Sequence, residues 1–192
     1  MFALHLPQEP VGAQRRPAPD RYDETFRKYS KRYFGPGFDW RVFKAQGMAE
    51  SNLDSTAVSR VGARGIMQLM PSTFAEIQSR NSEISRIDDA EWNIAAGIYY
   101  DRVLWRLWQK DSIDTHRREF MLGSYNAGRQ TILNAQSVAR SSKLDHRVWP
   151  SIEAVGPRVT RWRHRETVSY VRRIQEYLAR FDDKGRLKRP GG

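Results

Sequence analysis

The stretch AQGMAESNLDSTAVSRVGARGIMQLMP, residues 45 to 71, constrains this chain more than any other part of it. It places Glu50 between an apolar run with helical spacing and a polar loop that ends in Gly62, Gly65 and the short apolar segment Ile66 to Met70. Asp39 can cap a helix through Trp40, Val42, Phe43 and Gln46 toward Ala49, whose apolar face pins the backbone just before Glu50. The acid is then carried by a rigid element rather than by a mobile loop. A glutamate at the edge of an apolar segment has its charged form disfavoured by desolvation, which lifts its pKa toward neutrality and lets it donate a proton. Cleavage of an acetal needs such a donor.

The helical period continues on both sides of this stretch. Tyr22, Phe26, Tyr29 and Tyr33 share one face behind an Asp20 cap, and Gly35-Pro36-Gly37 stops that helix. Pro71 suits the first turn of a helix to about Arg80, where its missing amide hydrogen is no loss. Asp88 and Asp89 cap a long helix through Ile94, Ile98, Trp105 and Trp108. Asp114 or Thr115 opens the next, with Phe120, Met121 and Tyr125 inward and Gly128 ending it. A further helix covers about Gln130 to Ala139, and a last one about Arg165 to Phe181 buries Val171, Ile174, Leu178 and Phe181. Residues 140 to 160, with Trp149-Pro150 and Gly156-Pro157, read as a long connection. With no convincing strand series, the chain is mainly α. It divides into a Pro-rich N-terminal arm over residues 1–19, a folded domain over 20–181 and a basic C-terminal tail over 182–192, expected to be mobile.

At 192 residues, with 39% hydrophobic content, the chain can bury the core of one domain. The formal net charge of +11 attracts polyanions, whether nucleic acid, anionic lipid or bacterial wall polymers. There are no cysteines, which excludes disulfides and thiolate metal sites, and the four histidines show no ligand spacing. No cofactor is expected. No apolar run approaches the roughly 20 residues that span a bilayer. The N-terminus, broken by Pro7 and Pro10 with its arginines after the apolar part, lacks the charged-then-apolar order of a secretory signal.

Four segments in order carry a family resemblance. Glu50-Ser51, then Ala57, Ser59, Gly62-Ala63 and Gly65-Ile66-Met67-Gln68-Leu69-Met70-Pro71, resemble the first two motifs of the soluble lytic transglycosylase catalytic domain. Ser124-Tyr125-Asn126-Ala127-Gly128 is similar to its third motif and Glu166-Thr167-Val168-Ser169-Tyr170-Val171 to its fourth. The resemblance implies a single lysozyme-like domain of the goose-type lysozyme and lytic transglycosylase class, with a substrate cleft. It also implies cleavage of the MurNAc-β-1,4-GlcNAc bond of peptidoglycan glycan strands, closing a 1,6-anhydro ring on MurNAc.

Carried over residue by residue, the resemblance puts Glu50 in the acid/base role with Ser51 beside it. Ser59, Met67 and Gln68 then line the cleft and position the sugar and its N-acetyl group. Tyr125 and Asn126 lie along the facing helix, Tyr170 approaches Glu50 with its hydroxyl, and Glu166 supports that end of the cleft. The plain alternatives are core packing for Met67 and Met70, a local backbone partner for Ser51 and an N-terminal helix charge for Glu166. Asp54 is the nearest second carboxylate, and a turn former by its setting. Ser124 in place of the commoner Ala, and Leu53 where an aromatic is frequent, depart from the pattern.

Such a protein acts on the bacterial cell wall, in the periplasm. Lytic transglycosylase domains without signals occur in bacteriophage virions and secretion-linked systems, so delivery within a larger assembly, held by protein partners, is the expected route. One rival is a goose-type lysozyme that uses water instead of the C6 hydroxyl. Another is a nucleic-acid-binding or structural particle protein, with Arg158, Arg161, Arg163, Arg165, Arg172 and Arg173 tracking phosphates around Trp162 and Tyr170. A third is an inactive relative used as a scaffold.

Overall fold

Apolar spacing of three and four residues produces eight α-helices in residues 20–188, the part of the chain that the computed structural model describes. They are α1 (Asp23–Phe34), α2 (Arg41–Ser51), α3 (Pro71–Arg80), α4 (Ala90–Lys110), α5 (Arg117–Ala127), α6 (Arg129–Ser141), α7 (Trp149–Val155) and α8 (His164–Ala179), with a 3₁₀ turn at Gly156–Arg158. Among the described residues β pairing is confined to isolated bridges, and no helix is long and apolar enough to cross a membrane. The N-terminal arm expected over 1–19 lies outside the described residues.

The longest helix, α4, is the central post. Its start is fixed by Asp89, whose carboxylate accepts from the amides of Glu91 at 3.0 Å and Trp92 at 3.1 Å; these are amides that the helix itself leaves without partners. Ile94, Ile98, Leu104 and Trp108 are buried along it. Trp105 is only half-buried and packs against Phe34 and Phe38, so the inner stripe passes through Leu104 instead. On its two sides α4 meets α1 and α5, while α8 packs across α2 and α5. Gly97 is required where α4 meets the loop after α2, because a Cβ there would stand 2.7 Å from Cγ of Met67.

Two segments differ from the sequence expectation. Residues 140 to 160 contain α7 and the 3₁₀ turn, because Pro150 falls in the first turn of α7, where proline starts a helix rather than breaking one. The Trp149 ring is buried edge-on against Phe120 at 5.6 Å and anchors that turn.

The second difference is the stretch 182–188, which is folded back rather than free, while residues 189–192 of the expected tail lie outside the described residues. Asp182 accepts from the amides of Lys184 at 2.9 Å and Arg186 at 2.8 Å, and Phe181 bridges to Leu187. The carbonyl of Gly185 takes a 2.7 Å hydrogen bond from Nζ of Lys44, a side chain of α2 buried beneath it. Lys44 also pairs with the buried Asp23 at 2.7 Å, so one cation ties α1, α2 and the C-terminal turn together.

Removing that cation strands a buried carboxylate and a buried carbonyl. Lys44→Met is expected to lower the unfolding free energy by about 3 kcal/mol, and adding Asp23→Asn to recover part of the loss, both read from urea unfolding curves.

Candidate active site

The chain must reverse as soon as α2 ends. Asn52 at φ 56° and Leu53 at φ 63° take left-handed backbone conformations there, and their amides donate back to Met48 and Gly47 carbonyls at 3.0 and 3.3 Å. The reversal drives Leu53 into the core and leaves Glu50 half-buried on the last turn of the helix. Leu53, which departs from the motif pattern, therefore packs inside. Two non-glycine residues held at positive φ beside an acid mark a place where surrounding structure overrides local preference.

Residues 57 to 69 then fold into a loop fastened from three sides. From α2, Ser51 Oγ donates to the Ile66 carbonyl at 2.9 Å and accepts from the Asp54 amide at 3.1 Å. From α4, Asn93 Oδ1 accepts from the Met67 amide at 2.8 Å while its Nδ2 donates to the carbonyls of Arg64 and Ile87, each at 3.0 Å. From α5, the Tyr125 hydroxyl donates to the Met67 carbonyl at 2.8 Å. Within the loop, Ser59 Oγ accepts from the Ala63 amide at 3.0 Å, and Gln68 Nε2 donates to the carbonyls of Gly65 at 2.9 Å and Ala57 at 3.3 Å.

Met67 corrects an expectation. Its side chain is fully buried against Gly97 and forms no floor of a cleft; its backbone is the part that Asn93 and Tyr125 hold. Ser51 likewise spends its hydroxyl on backbone. Asp54 accepts from the amide and hydroxyl of Thr56 at 2.8 and 2.7 Å, which makes it a turn former. Asn93 was missed by the sequence reading, although an asparagine next to Ile94 at the start of an apolar stripe was a visible signal.

Across from the loop, α8 brings Tyr170 to Glu50. The Tyr170 hydroxyl donates to Glu50 Oε1 at 2.7 Å, joining residues far apart in sequence. Burial pushes the Glu50 carboxyl up from 4.5 to about 7, against the opposing pull of the Tyr170 hydrogen bond and the positive charge of Arg173. Burial, together with the negative charge of Glu50, also holds the Tyr170 and Tyr125 phenols well above their usual range. Both therefore stay neutral donors wherever Glu50 titrates.

Asn126 and Glu166 line a cavity that Glu50 does not. They share a cavity of about 260 Å³ with Thr131, Arg161, Arg163 and Thr167. Glu166 is exposed and paired with Arg163 at 3.1 Å, so its first bond is within the start of α8 rather than toward Glu50. The aromatic platform imagined for nucleic acid is not on the surface. Trp162 is buried with its Nε1 donating to Thr167 at 3.0 Å, Tyr170 is turned to Glu50, and Arg172 pairs with Glu153 at 2.7 Å.

Residues 25–148 match the family model of the transglycosylase SLT domain. The chain is 33% identical over 186 residues to membrane-bound lytic murein transglycosylase F 1 of Alkalilimnicola ehrlichii, covering 90% of this chain and 36% of that protein. Against membrane-bound lytic murein transglycosylase F of Shewanella pealeana the identity is 31% over 169 residues, covering 82% of this chain and 33% of the relative. The chain thus spans about a third of the length of these relatives, whose names describe membrane-bound enzymes and lend no support to a virion origin. Among solved structures it is similar to the 70 kDa soluble lytic transglycosylase of Escherichia coli, at TM-score 0.54 and 18% identity over 88% of this chain and 26% of that one. A 70-kDa soluble lytic transglycosylase in complex with bulgecin A gives TM-score 0.55 at 20% identity over 89% of this chain and 26% of the other. At that identity the likeness speaks for the fold, and the fold, the ordered motifs and the family match agree: the chain belongs to the transglycosylase SLT domain family.

Proposed function

We propose that this chain is the catalytic domain of a peptidoglycan lytic transglycosylase, and that it cuts the MurNAc-β-1,4-GlcNAc bond without water. One observation carries the reading: a single half-buried carboxyl, Glu50, whose pKa of about 7 lets it both give and take a proton near neutrality. Protonated Glu50 donates to the bridging oxygen as the bond from C1 breaks, and the GlcNAc leaves as an alcohol. The carboxylate so formed accepts the proton of the C6 hydroxyl of the same MurNAc while O6 bonds to C1, closing the 1,6-anhydro ring and restoring the acid. Atoms balance with no nucleophile from the protein. That suits a site where Asp54 is spent on a turn.

The neighbours fit this cycle. Tyr170 donates to Glu50 most strongly when Glu50 is ionised, that is, midway through the turnover. Gln68 and Ser59 sit in the loop next to the acid, where they support positioning of the sugar and its N-acetyl group. Asn126 and Glu166, in their shared cavity, support contact with a more distant part of the glycan or its peptide. The reading places the domain's work at the bacterial cell wall. The relatives' names, murein transglycosylases, support the same substrate.

Purified peptidoglycan digested by the wild type is expected to release anhydro-muropeptides, each lighter by one water than the hydrolytic product. Glu50→Gln is expected to lower the release rate about a thousandfold by mass analysis. Fully hydrated products from the wild type would make it a hydrolase instead.

Burial of Glu50 also has a signature in stability. Its folded pKa lies above the ordinary 4.5, so its contribution is fully present below that value and is lost as pH rises through about 7. Glu50→Gln removes the penalty on the charged form. The variant is expected to be more stable than the wild type by on the order of 3 kcal/mol near pH 8 and about equal near pH 4, by thermal or urea unfolding.

Tyr170→Phe removes a donor to the ionised acid. It is expected to move the alkaline limb of activity to higher pH and to cut turnover by about ten- to a hundredfold. A limb shifted to lower pH would contradict the assignment.

A further inference from the structure

One polar pair in the interior has no part in the cycle just described. Asp101, on the inner face of α4, is 0% exposed, as is Gln46 on α2. Neither oxygen of Asp101 meets a hydrogen-bond partner of good geometry, nor does either polar atom of the Gln46 carboxamide. No cation pairs with Asp101 among the described residues: Lys44 is committed to Asp23, and the Arg102 guanidinium lies over the Phe34 ring. Gln46 stands four residues before Glu50, one turn earlier on the same face of α2. Buried polar groups of this size are nearly always satisfied, so four open atoms side by side call for an explanation.

Charge supplies it. An unpaired carboxylate in this interior costs several kcal/mol, whereas a neutral carboxyl costs far less. The groups facing Asp101 are Glu50 on α2, Tyr100 on α4 itself, Tyr125 on α5 and Tyr170 on α8, none of them a cation. A neutral carboxyl and a primary carboxamide are complementary, since acid O–H faces amide carbonyl and acid carbonyl faces amide N–H. An ionised Asp101 could accept from the Gln46 N–H, but burial and a second negative charge near Glu50 outweigh that gain.

We propose that Asp101, in its uncharged form, is a positioning residue for Glu50: it pairs with the Gln46 carboxamide and so fixes the turn of α2 that carries the catalytic carboxyl. The proposal rests on Glu50 being the acid/base of the reading above. Asp101 is no second catalytic carboxylate, because a fully buried side chain cannot touch a glycan. Burial and the nearby charge of Glu50 hold its proton well above the usual carboxylate range, in keeping with this role. Its place is in the apolar stripe of α4, seven residues after Ile94, where a charge would be out of keeping and a neutral acid is not.

Three measurements test it. The first is the infrared difference spectrum of wild type minus Asp101→Asn at about pH 9, where Glu50 is ionised. It is expected to show the carbonyl band of a protonated carboxyl; loss of carboxylate bands alone would overturn the proposal. The second is the pH dependence of kcat/KM. Removing a group that is neutral on both sides of the Glu50 transition leaves its midpoint near 7, whereas removing an anion would lower the midpoint by about one unit or more. The third compares Asp101→Leu, which leaves Gln46 alone, with Asp101→Asn, which keeps a complementary pair. The leucine variant is expected to lose about tenfold in kcat with KM within about twofold, at a temperature where it stays folded, and the asparagine variant to regain it. Wild-type kcat in the folded leucine variant would rule out positioning. The infrared result needs no glycan, so it stands or falls separately from the proposed activity.

Discussion

Keeping water from one carboxyl is the constraint on which the rest of this structure depends. Glu50 sits at the end of α2, where three influences meet. Burial disfavours its charge, and the carbonyls at a helix C-terminus disfavour it further. Against both stands the Tyr170 hydroxyl, brought by α8 to 2.7 Å. Desolvation alone would leave an acid too weak to give up its proton. The phenol and Arg173 bring it back to about 7, where both protonation states are within reach at neutral pH. The packing of α8 across α2 is therefore part of the acid's chemistry and not only of the core.

The opposite wall is built by a different means. Residues 57 to 69 bury Ile66, Met67 and Leu69 at one end, while Val58 and Val61 stay exposed. Side chains of neighbouring elements hold the loop by its backbone: Ser51 at Ile66, Asn93 at Met67 and Arg64, and Tyr125 at the Met67 carbonyl. Each bond alone contributes about 1 kcal/mol, yet together they fix a segment that would otherwise sample many conformations. Among its buried apolar anchors, Met67 fits because Gly97 presents no side chain. Most of the polar side chains around the acid thus hold protein, Ser59 and Gln68 among them.

How much of this was legible in the sequence depended on the range of the interaction. The Asp89 cap and the Ile94 and Ile98 spacing were local, and α4 could be read from them directly. Pairing of Glu50 with Tyr170 was not local: no periodicity links positions so far apart, and only the resemblance of the ordered motifs placed them together. Trp149-Pro150 misled because proline breaks a helix in its middle and begins one at its start, and only the burial of Trp149 decides between them. The tail misled because its anchor, Lys44, reads as surface charge until Asp23 and Gly185 are known to enclose it. Asp101 was legible in principle, since a carboxylate in an apolar stripe violates the pattern around it. Reading that violation required knowing what lay opposite.

A single acid that returns its own proton makes an unusual demand on its surroundings. During each cycle the charge of Glu50 changes while that of every other interior group must not, or the field at the sugar would drift with the turnover. Tyr125 and Tyr170 meet this demand alike, because burial holds both phenols on the protonated side of their transitions whatever Glu50 does, and a neutral Asp101, as proposed, meets it too. They can donate hydrogen bonds without competing for the proton. The low dielectric that makes ionisation of Glu50 costly also keeps these neighbours silent.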